Sequence, residues 1–325
     1  MIVVDLFKDQ TVVVLGLGKT GWAAALSLAA GGSTVIAWDD QVEKRSFPKT
    51  PHINIIDPLV CHWPDIKALV LSPGIPHTFP QPHPVVAQAK QHRVPIYSDI
   101  DLYIKMHPKT LTVGVTGTNG KSTTTALITH ILNEKGQKAQ MAGNIGRAVL
   151  SLSSADVDAI TILELSSYQL ELTKLQAHDV AILLNISPDH LARHGGMENY
   201  IKAKQSIFKN QRLGQKAIVG VDDPYSEKIY HFLHTHSFAH VIGISEKRRL
   251  RGGVCVLDAK LYDNSIGRES ILDLSHIPHI SSFYGQNIAA AYIACRHFGI
   301  SREHFLSGLS TFKNLPHRRE FVAMI

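Results

Sequence analysis

Apolar runs rich in β-branched residues alternate with helical stretches along the first part of the chain. The run Thr11–Leu15 leads into a glycine-rich turn and then into Trp22–Ala30, which predicts a strand, a turn and a helix. Further strands are predicted at Thr34–Trp38 and Ala68–Leu71, and a helix at Val85–His92. Strands that end in polar or glycine turns are typical of a parallel sheet. The pattern therefore predicts one α/β unit here.

The same pattern restarts after the connector around residue 106. The run Leu111–Thr116, a second glycine turn and the helical stretch Ser122–Lys135 predict another strand, turn and helix. Later apolar runs predict buried strands at Ala159–Leu163, Val180–Leu184 and Lys216–Val219. The region Gly243–His279 is less regular, and its run Gly253–Leu257 suggests an antiparallel addition. The predicted fold is α/β, with one domain over residues 1–105 and a second over 106–311.

Composition supports a folded protein of two domains. The chain has 325 residues, of which 44% are hydrophobic and 18% charged. The net charge of +6 favours anionic partners, but the basic residues are scattered, and nucleic-acid binding is not expected. Cys61, Cys255 and Cys295 have no CxxC spacing, which argues against a disulfide framework or a thiolate metal site. With no targeting segment and no apolar stretch of about 18 residues, a cytoplasmic protein without membrane contact is expected.

The first glycine turn has the spacing of a dinucleotide-binding loop. Gly16, Gly18 and Gly21 follow a predicted strand, and Asp39-Asp40 stand about 20 residues further on. Glycines at this spacing allow the backbone to approach a pyrophosphate at a helix N-terminus. The motif alone would suggest NAD, although a UDP-sugar uses the same physics and a turn without ligand is also possible.

The second glycine turn, Thr116–Ser122, resembles a P-loop. Its backbone N–H groups would face phosphate oxygens, Lys121 would reach the β and γ phosphates, and the Ser122 hydroxyl would hold Mg²⁺. Val115 stands where the full P-loop pattern has glycine. Since a P-loop has no role in hydride transfer, two such loops exclude a simple dehydrogenase, and NAD is not expected.

Polar residues follow two later strands of the predicted sheet. Glu164 comes directly after Ala159–Leu163, where it could meet the metal held by Ser122 or cap the next helix. His190 follows Val180–Leu184, and ligands of open α/β sheets bind at such strand ends. His194 lies four residues after His190, but 19 histidines make chance spacings common, so zinc is not favoured.

A set of segments resembles the Mur ligase family in order and spacing along nearly the whole chain. They are Gly117–Ser122 (GTNGKS), Gly143–Gly146 (GNIG), Glu164–Leu170 (ELSSYQL), Asp189-His190, Lys204, Gly285–Asn287 (GQN) and Leu315–Arg318 (LPHR). Within the family, ELSSYQL, the Leu71–Gly74 turn and the N-terminal glycine loop look most like the members that add D-glutamate.

The resemblance implies an ATP-dependent amide ligase of peptidoglycan synthesis. Its domains would be a Rossmann-like UDP-binding domain over residues 1–105 and a central P-loop ATPase domain over 106–311. ATP would phosphorylate the terminal carboxylate of UDP-N-acetylmuramoyl-L-alanine, and the amine of D-glutamate would then attack the acyl phosphate to form an amide. Phosphoryl transfer of this kind depends mainly on positioning and charge neutralisation. The implied ligands are ATP, two Mg²⁺, the UDP-sugar and D-glutamate, and a monomer is expected.

The resemblance also implies roles for individual residues. Lys121, His190 and Lys204 would be catalytic. The ATP contacts would be Gly117, Thr118, Asn119, Gly120, Lys121, Ser122, Asn287 and Arg318. The contacts to the UDP-sugar would be Gly18, Lys19, Thr20, Asp39, Asp40, Gly74, Asn144 and His190. Ser122 and Glu164 would hold one Mg²⁺ and His190 with Lys204 a second. In relatives this lysine is carbamylated, which turns a cation into a carboxylate-like ligand; from the residues alone, Lys204 is an ordinary helix-surface lysine.

The chain departs from the family in two contact segments and in length. Gln41 stands where close relatives can carry a basic residue, and Ser187-Pro188 replaces the more usual Thr-Glu before Asp189-His190. Family members continue into a third domain that carries the amino-acid site, so residues 312–325 are expected to begin it. The chain alone is then expected to bind the UDP-sugar without ligating at a normal rate. Another Mur-type or folylpolyglutamate ligase and a non-catalytic nucleotide-binding module are the alternatives.

Overall fold

The first part of the protein is a parallel, doubly wound α/β unit. The computed structural model describes residues 1–46, 48–153, 158–277, 284–313 and 315. The elements of the first unit are β1 (Thr11–Leu15), α1 (Lys19–Ala30), β2 (Thr34–Trp38), β3 (Ile53–Ile55), β4 (Ile66–Leu71), α2 (Pro84–Gln91), β5 (Ile96–Tyr97) and α3 (Asp99–Met106). The strand order is β3-β2-β1-β4-β5, with parallel pairing throughout. The order reverses at β1, and this is where open α/β sheets bind ligands.

The predicted start of the first helix is wrong by three residues. Helix α1 begins at Lys19 instead of Trp22. Gly18 is the N-cap in an extended conformation, so the helix starts inside the glycine turn. The N–H groups of the first helical turn therefore lie next to the loop that was predicted to bind phosphate.

The second unit contains a larger, mostly parallel sheet. Its strands are β6 (Thr112–Thr116), β7 (Ala139–Gly143), β8 (Ile160–Glu164), β9 (Val180–Leu183), β10 (Lys216–Gly220), β11 (His240–Ser245), β12 (Val254–Leu257), β13 (Lys260–Asp263) and β14 (Ser270–Asp273). Its helices are α4 (Lys121–Glu134), α5 (Ser167–Leu172), α6 (Leu191–His194), α7 (Met197–Gln205), α8 (Pro224–His236), α9 (Gly285–His297) and α10 (Arg302–Thr311). The strand order is β14-β13-β12-β11-β10-β9-β6-β8-β7.

The late part of the sheet was predicted only in part. Strand β13 pairs antiparallel with both β12 and β14, as expected. Residues from Gly243 onwards were expected to be less regular, but Gly243 itself lies in β11. This mostly buried strand pairs parallel with both β10 and β12. The antiparallel addition is therefore attached to the parallel sheet through β12.

Helices cover both faces of the second sheet, as the sequence predicts. Leu127 of α4, Ile288 of α9 and Phe305 of α10 are buried in a cluster on one face. Tyr200 of α7 and Ile229 of α8 belong to the cluster on the other. This second cluster continues into the first unit, so the two units share apolar contacts.

Helix α3 and the 3₁₀ turn Val149–Ser151 join the two units. The N–H of Ile2 and the hydroxyl of Ser27 both donate to the Leu150 carbonyl, at 3.0 and 3.3 Å. The buried Tyr103 hydroxyl on α3 lies 2.8 Å from the Thr161 hydroxyl on β8. Within the described ranges, no helix combines the length and the apolar character needed to span a bilayer.

Candidate active site

A cavity of about 560 Å³ lies between the first glycine turn and the second unit. The first unit contributes Gly16, Gly18, Lys19, Thr20, Asp39, Asp40, Gln41, Lys44, Ser72, Pro73, Gly74 and Ile75 to its wall. The second unit contributes Gly143, Asn144, Gly146, Ala148, Ser166, Tyr168 and Gln169. Its volume is in the range of small-molecule sites. All the residues predicted to contact the UDP-sugar except His190 line this cavity.

The glycine turn is shaped by close backbone approach. A Cβ atom on Gly21 would lie 1.7 Å from the Gly16 carbonyl oxygen, so a larger residue cannot be accommodated there. The Ser72 hydroxyl donates to the same oxygen at 2.7 Å, which ties the end of β4 to the turn. Together these contacts keep the start of α1 open towards the cavity.

The two aspartates after β2 have different surroundings. Asp39 is 5% exposed, and its carboxylate accepts the N–H groups of Leu17 at 2.7 Å and Gln41 at 3.0 Å. Asp40 is exposed and pairs with His83 at 2.9 Å. Asp39 therefore holds the glycine loop, while Asp40 faces the outer part of the cavity.

The second glycine turn closes on the segment that follows β9. The Asn119 N–H donates to the Asn185 side chain at 2.9 Å, and the Thr118 hydroxyl donates to the Ser187 carbonyl at 3.1 Å. Lys121 donates to the carbonyls of Gly117 and Thr118, at 2.9 and 2.8 Å. The lysine thus lies over the loop in which a phosphate would be bound.

Glu164 connects the cavity to the P-loop. It is 2% exposed at the end of β8, next to β6, the strand that leads into the loop. Its Oε1 accepts the Asn144 side-chain amide at 2.9 Å. Its Oε2 is buried with no hydrogen-bond partner among the described residues. An unpaired buried carboxylate oxygen calls for a cation or an ordered water.

Lys204 lies beneath the same loop. It is 2% exposed, and its Nζ donates to the Gly117 carbonyl at 2.8 Å and lies 4.8 Å from the centre of the Tyr200 ring. Burial, together with the positive charge of Lys121, lowers the pKa of Lys204 to about 7. The interpretation of Lys204 as an ordinary surface lysine is wrong.

Comparison with known proteins identifies the family. Residues 115–295 match the family model described as the Mur ligase middle domain. Over 98% of its length the chain is 43% identical to UDP-N-acetylmuramoylalanine–D-glutamate ligase from Rhodospirillum rubrum, of which it covers 68%. Over its full length it is 42% identical to the enzyme of the same name from Caulobacter sp. strain K31, of which it covers 71%. The chain belongs to the Mur ligase family.

Solved structures of other Mur ligases share this fold. The Mpl ligase from Neisseria meningitides matches 95% of the chain, and 99% of that protein is covered, with a TM-score of 0.61 at 14% identity. MurC from Thermotoga maritima matches 94% of the chain, and 69% of that protein is covered, with a TM-score of 0.52 at 17% identity. At such identities the likeness concerns the fold alone. It confirms the predicted α/β class and the combination of the two domain types.

Of the remaining predicted residues of this Mur ligase, Asn287 and Ser122 lie beside the P-loop. Asn287 on α9 faces Gly120, because a Cβ on Gly120 would lie 2.4 Å from the Asn287 Oδ1. Ser122 is the second residue of α4, and α4 follows directly on the loop. His190 does not line the cavity: it is the N-cap of α6, half exposed, with its ring 5.3 Å from the Tyr168 ring. Arg318 lies outside the described residues.

The two spaced histidines have different surroundings, since His190 is half exposed and His194 is buried. The His194 ring is buried against Tyr168, and its Nε2 lies 2.9 Å from the Ser167 hydroxyl. Across the part of the chain that the structure describes, no cluster of three or more His, Cys, Asp or Glu residues could hold a metal. The predicted Mg²⁺ ligands are a different kind of set, because two of the four are a serine and a lysine.

Sequence reasoning missed several residues of the Mur ligase site. Tyr168 and Gln169 line the cavity, and Asn185 fixes the P-loop. The segments ELSSYQL and NISPDH contain all three, but only Glu164 and His190 were assigned from them. The signal was the position of both segments directly after buried strands.

Proposed function

We propose that this chain supplies the UDP-sugar site and the ATP site of a ligase that joins D-glutamate to UDP-N-acetylmuramoyl-L-alanine, in peptidoglycan synthesis in the cytoplasm. The relatives at 43% and 42% identity bear the name of that enzyme. The observation that carries the proposal is the contact between Asn144 and Glu164. Through this hydrogen bond, Asn144 in the cavity wall contacts Glu164 at the end of β8, and β8 pairs with β6, the strand that leads into the P-loop. The alanyl carboxylate of the substrate, if placed at the inner end of the cavity, would therefore lie next to ATP bound at the P-loop.

The proposed domain roles follow from the same arrangement. Residues 1–105 would bind the UDP-sugar and 106–311 would bind ATP. The UDP diphosphate would lie at the N-terminus of α1, with Lys19 beside it and Asp40 near the far end. Asn144 would contact the sugar or peptide part. Since its amide is already fixed by Glu164, little ordering would be needed on binding.

The reaction would proceed in two steps. An oxygen of the alanyl carboxylate attacks the γ-phosphorus of ATP, the bond to the β,γ-bridging oxygen breaks and ADP leaves. The D-glutamate nitrogen then attacks the acyl carbon, phosphate leaves with its bonding electrons, and the nitrogen loses a proton as the amide forms. Lys121 would neutralise charge on the transferring phosphate, and Asn287 and Arg318 would contact ATP. The His190 ring lies 5.3 Å from the ring of Tyr168, and Tyr168 lines the cavity.

The residues at the end of β8 fit a magnesium ion. The Glu164 Oε2 is buried and without a partner among the described residues, and Mg²⁺ prefers oxygen ligands. Ser122 and Glu164 would hold this ion, which when bound would neutralise phosphate charge. His190 and Lys204 would serve a second ion.

Lys204 has the chemistry that carbamylation requires. With its pKa at about 7, much of the amine is neutral at physiological pH. A neutral amine adds to CO₂ by forming an N–C bond and releasing a proton, which yields a carbamate with two ligand oxygens. This reaction would replace the buried amine with an anion beside the P-loop.

Calorimetric titration with UDP-N-acetylmuramoyl-L-alanine tests the proposal. We expect micromolar binding, with weaker binding of UDP-N-acetylmuramoyl tripeptide and none of NADH. The Asn144→Ala variant should bind the alanine form at least about tenfold more weakly, because it loses one well-placed polar contact. Asn54→Ala, at an exposed position on β3, is the control and should bind like the wild type. Preference for the tripeptide would indicate another Mur ligase, and preference for NADH would overturn the assignment of the first domain.

A further inference from the structure

The loop between β4 and α2 contacts both the cavity and the second unit. Its first residues, including Gly74 and Ile75, line the cavity. Its next residues, His77 to Phe79, lie against α5 and α6 of the second unit. One short segment of backbone therefore touches the proposed UDP-sugar site on one side and the P-loop domain on the other.

Arg193 of α6 reaches this loop from the second unit. Its Nη1 donates to the Phe79 carbonyl at 3.1 Å, and its Nη2 donates to the Ile75 carbonyl at 3.2 Å. The Arg193 side chain is only 17% exposed. The planar guanidinium presents several donors in fixed directions, so that it can bind two carbonyls at once. These two bonds fix the spacing between the cavity-lining end of the loop and its middle.

Glu171 of α5 holds the same loop by a side chain. Its Oε1 accepts the Thr78 hydroxyl at 2.5 Å, and its Oε2 lies 3.8 Å from the Arg193 Nη1. His77 and His194 also face this carboxylate, at 3.9 and 3.7 Å. The Arg193 guanidinium is thus oriented by a carboxylate that itself contacts the loop.

On its other side, the Arg193 side chain is linked to His190 through Tyr168. The backbone N–H of Arg193 also donates to the His190 carbonyl at 3.0 Å, but this bond does not depend on the side chain. The guanidinium carbon lies 5.3 Å from the centre of the Tyr168 ring, and the same ring is 5.3 Å from the His190 ring. Tyr168 also lines the cavity. The guanidinium therefore contacts both the loop and the aromatic residue against which His190 packs.

We propose that Arg193 is a positioning residue that locks the β4–α2 loop of the first domain to the His190 segment of the second. Binding of the UDP-sugar and placement of His190 then depend on one guanidinium. The link to the UDP-sugar rests on the function proposed above, whereas the lock between the domains does not. Loss of Arg193 leaves the P-loop intact, because none of its hydrogen bonds is made to Gly117–Ser122.

The chain offers a matched control in Arg248. This arginine also donates to a backbone carbonyl, that of Val221 at 3.2 Å, and pairs with a glutamate, Glu227. Both of its partners lie in the second unit, and none lines the cavity. Arg248→Ala therefore removes the same kind of contact without affecting the lock between the domains.

The first test measures binding of UDP-N-acetylmuramoyl-L-alanine and of Mg·ATP to the whole chain. Arg193→Ala should bind the UDP-sugar about tenfold more weakly, since two charge-assisted hydrogen bonds that order the loop are lost. Its affinity for Mg·ATP should stay within about twofold of the wild type. Arg193→Lys should restore part of the affinity, because lysine can reach one of the two carbonyls. Arg248→Ala should bind both ligands normally. Equal UDP-sugar affinity in Arg193→Ala and the wild type would overturn the proposal.

The second test does not depend on the identity of the ligand. Spin labels at Gln91→Cys on α2 and Lys228→Cys on α8, both exposed, report the distance between the domains in a Cys61→Ser background. Without ligand, Arg193→Ala should broaden the distance distribution, and Arg248→Ala should not. An unchanged distribution refutes the lock even if the UDP-sugar binds. Failure of the wild type to bind the UDP-sugar, with broadening in Arg193→Ala, would instead refute the proposed function and keep the lock.

Discussion

The Gly120→Ala substitution would test how the P-loop is built. Gly120 is the N-cap of α4 and has a left-handed conformation with φ of +86°. A Cβ at this position would lie 2.4 Å from the Asn287 Oδ1. Gly136, just beyond the other end of the same helix, has φ of +80°, but a Cβ there would have no atom within 4 Å. The two glycines therefore share backbone strain and differ in steric contact.

The expected losses of unfolding free energy can likewise be separated into a backbone part and a steric part. Alanine in the left-handed region costs about 1–2 kcal/mol, partly offset by a less flexible unfolded chain, so Gly136→Ala should lose about 1 kcal/mol of unfolding free energy. Gly120→Ala has the same backbone cost and must also displace Asn287, which is 2% exposed. Overpacking of this kind costs about 1–3 kcal/mol more. Gly120→Ala should therefore lose at least about twice as much stability as Gly136→Ala.

Urea unfolding and calorimetric titration with Mg·ATP would measure both effects. Gly136→Ala should bind the nucleotide within about twofold of the wild type. Gly120→Ala should bind it at least about tenfold more weakly, because displacement of Asn287 changes the wall of the nucleotide site. If both variants lose the same stability and both bind Mg·ATP normally, the close approach of Asn287 to the loop does not matter for ATP, and the reasoning is refuted.

Three further substitutions test other parts of the structure. Glu164→Gln should keep the bond to the neighbouring asparagine and the folded stability, but lower Mg·ATP affinity at least about tenfold, since a buried anionic oxygen is lost; unchanged affinity in titration would argue against a metal there. Asp39→Asn should cost about 1–2 kcal/mol in urea unfolding and weaken UDP-sugar binding, because an amide has one acceptor oxygen for the N–H groups of Leu17 and Gln41; equal stability would contradict this role. Burial lowers the pKa of His178 to about 4, so the unfolded chain binds a proton that the folded chain does not between about pH 6.5 and 4. Stability should be complete above this window and fall by about 3 kcal/mol through it, and His178→Gln should remove this part of the pH dependence in urea unfolding; parallel pH profiles for the two proteins would refute it.

The strands that could be predicted are the central ones. The bounds of β1 and β2 match the sequence prediction because each is a run rich in β-branched residues with a buried centre, and each ends at a glycine or an aspartate. Buried parallel strands need apolar residues at every position, and few other segments satisfy this. The two glycine turns were located for the same reason, since each follows such a strand.

Two of the strands that were not predicted, β3 and β7, lie at sheet edges. Strand β7, with the sequence AQMAG, is mostly half-buried at one edge of the second sheet, and it contains no β-branched residue. Strand β3 is a three-residue edge strand with two exposed residues. Such segments gain their strand conformation from pairing with a neighbour, and local sequence does not show that pairing.

The fold brings two separately predicted groups of residues next to each other. Strands β7 and β8 pair in parallel with Gly143 opposite Glu164, so the residue after Gly143 is carried to the carboxylate at the end of β8. That residue is Asn144, and its amide reaches Glu164 while its other side faces the cavity. Twenty residues separate Asn144 from Glu164, and only the strand register brings them together. The register of an edge strand that the sequence did not predict therefore joins the cavity proposed for the UDP-sugar to the proposed metal ligand. If the proposed function is correct, a change that shifts β7 by one residue should uncouple binding of the sugar nucleotide from phosphoryl transfer while leaving both glycine turns intact.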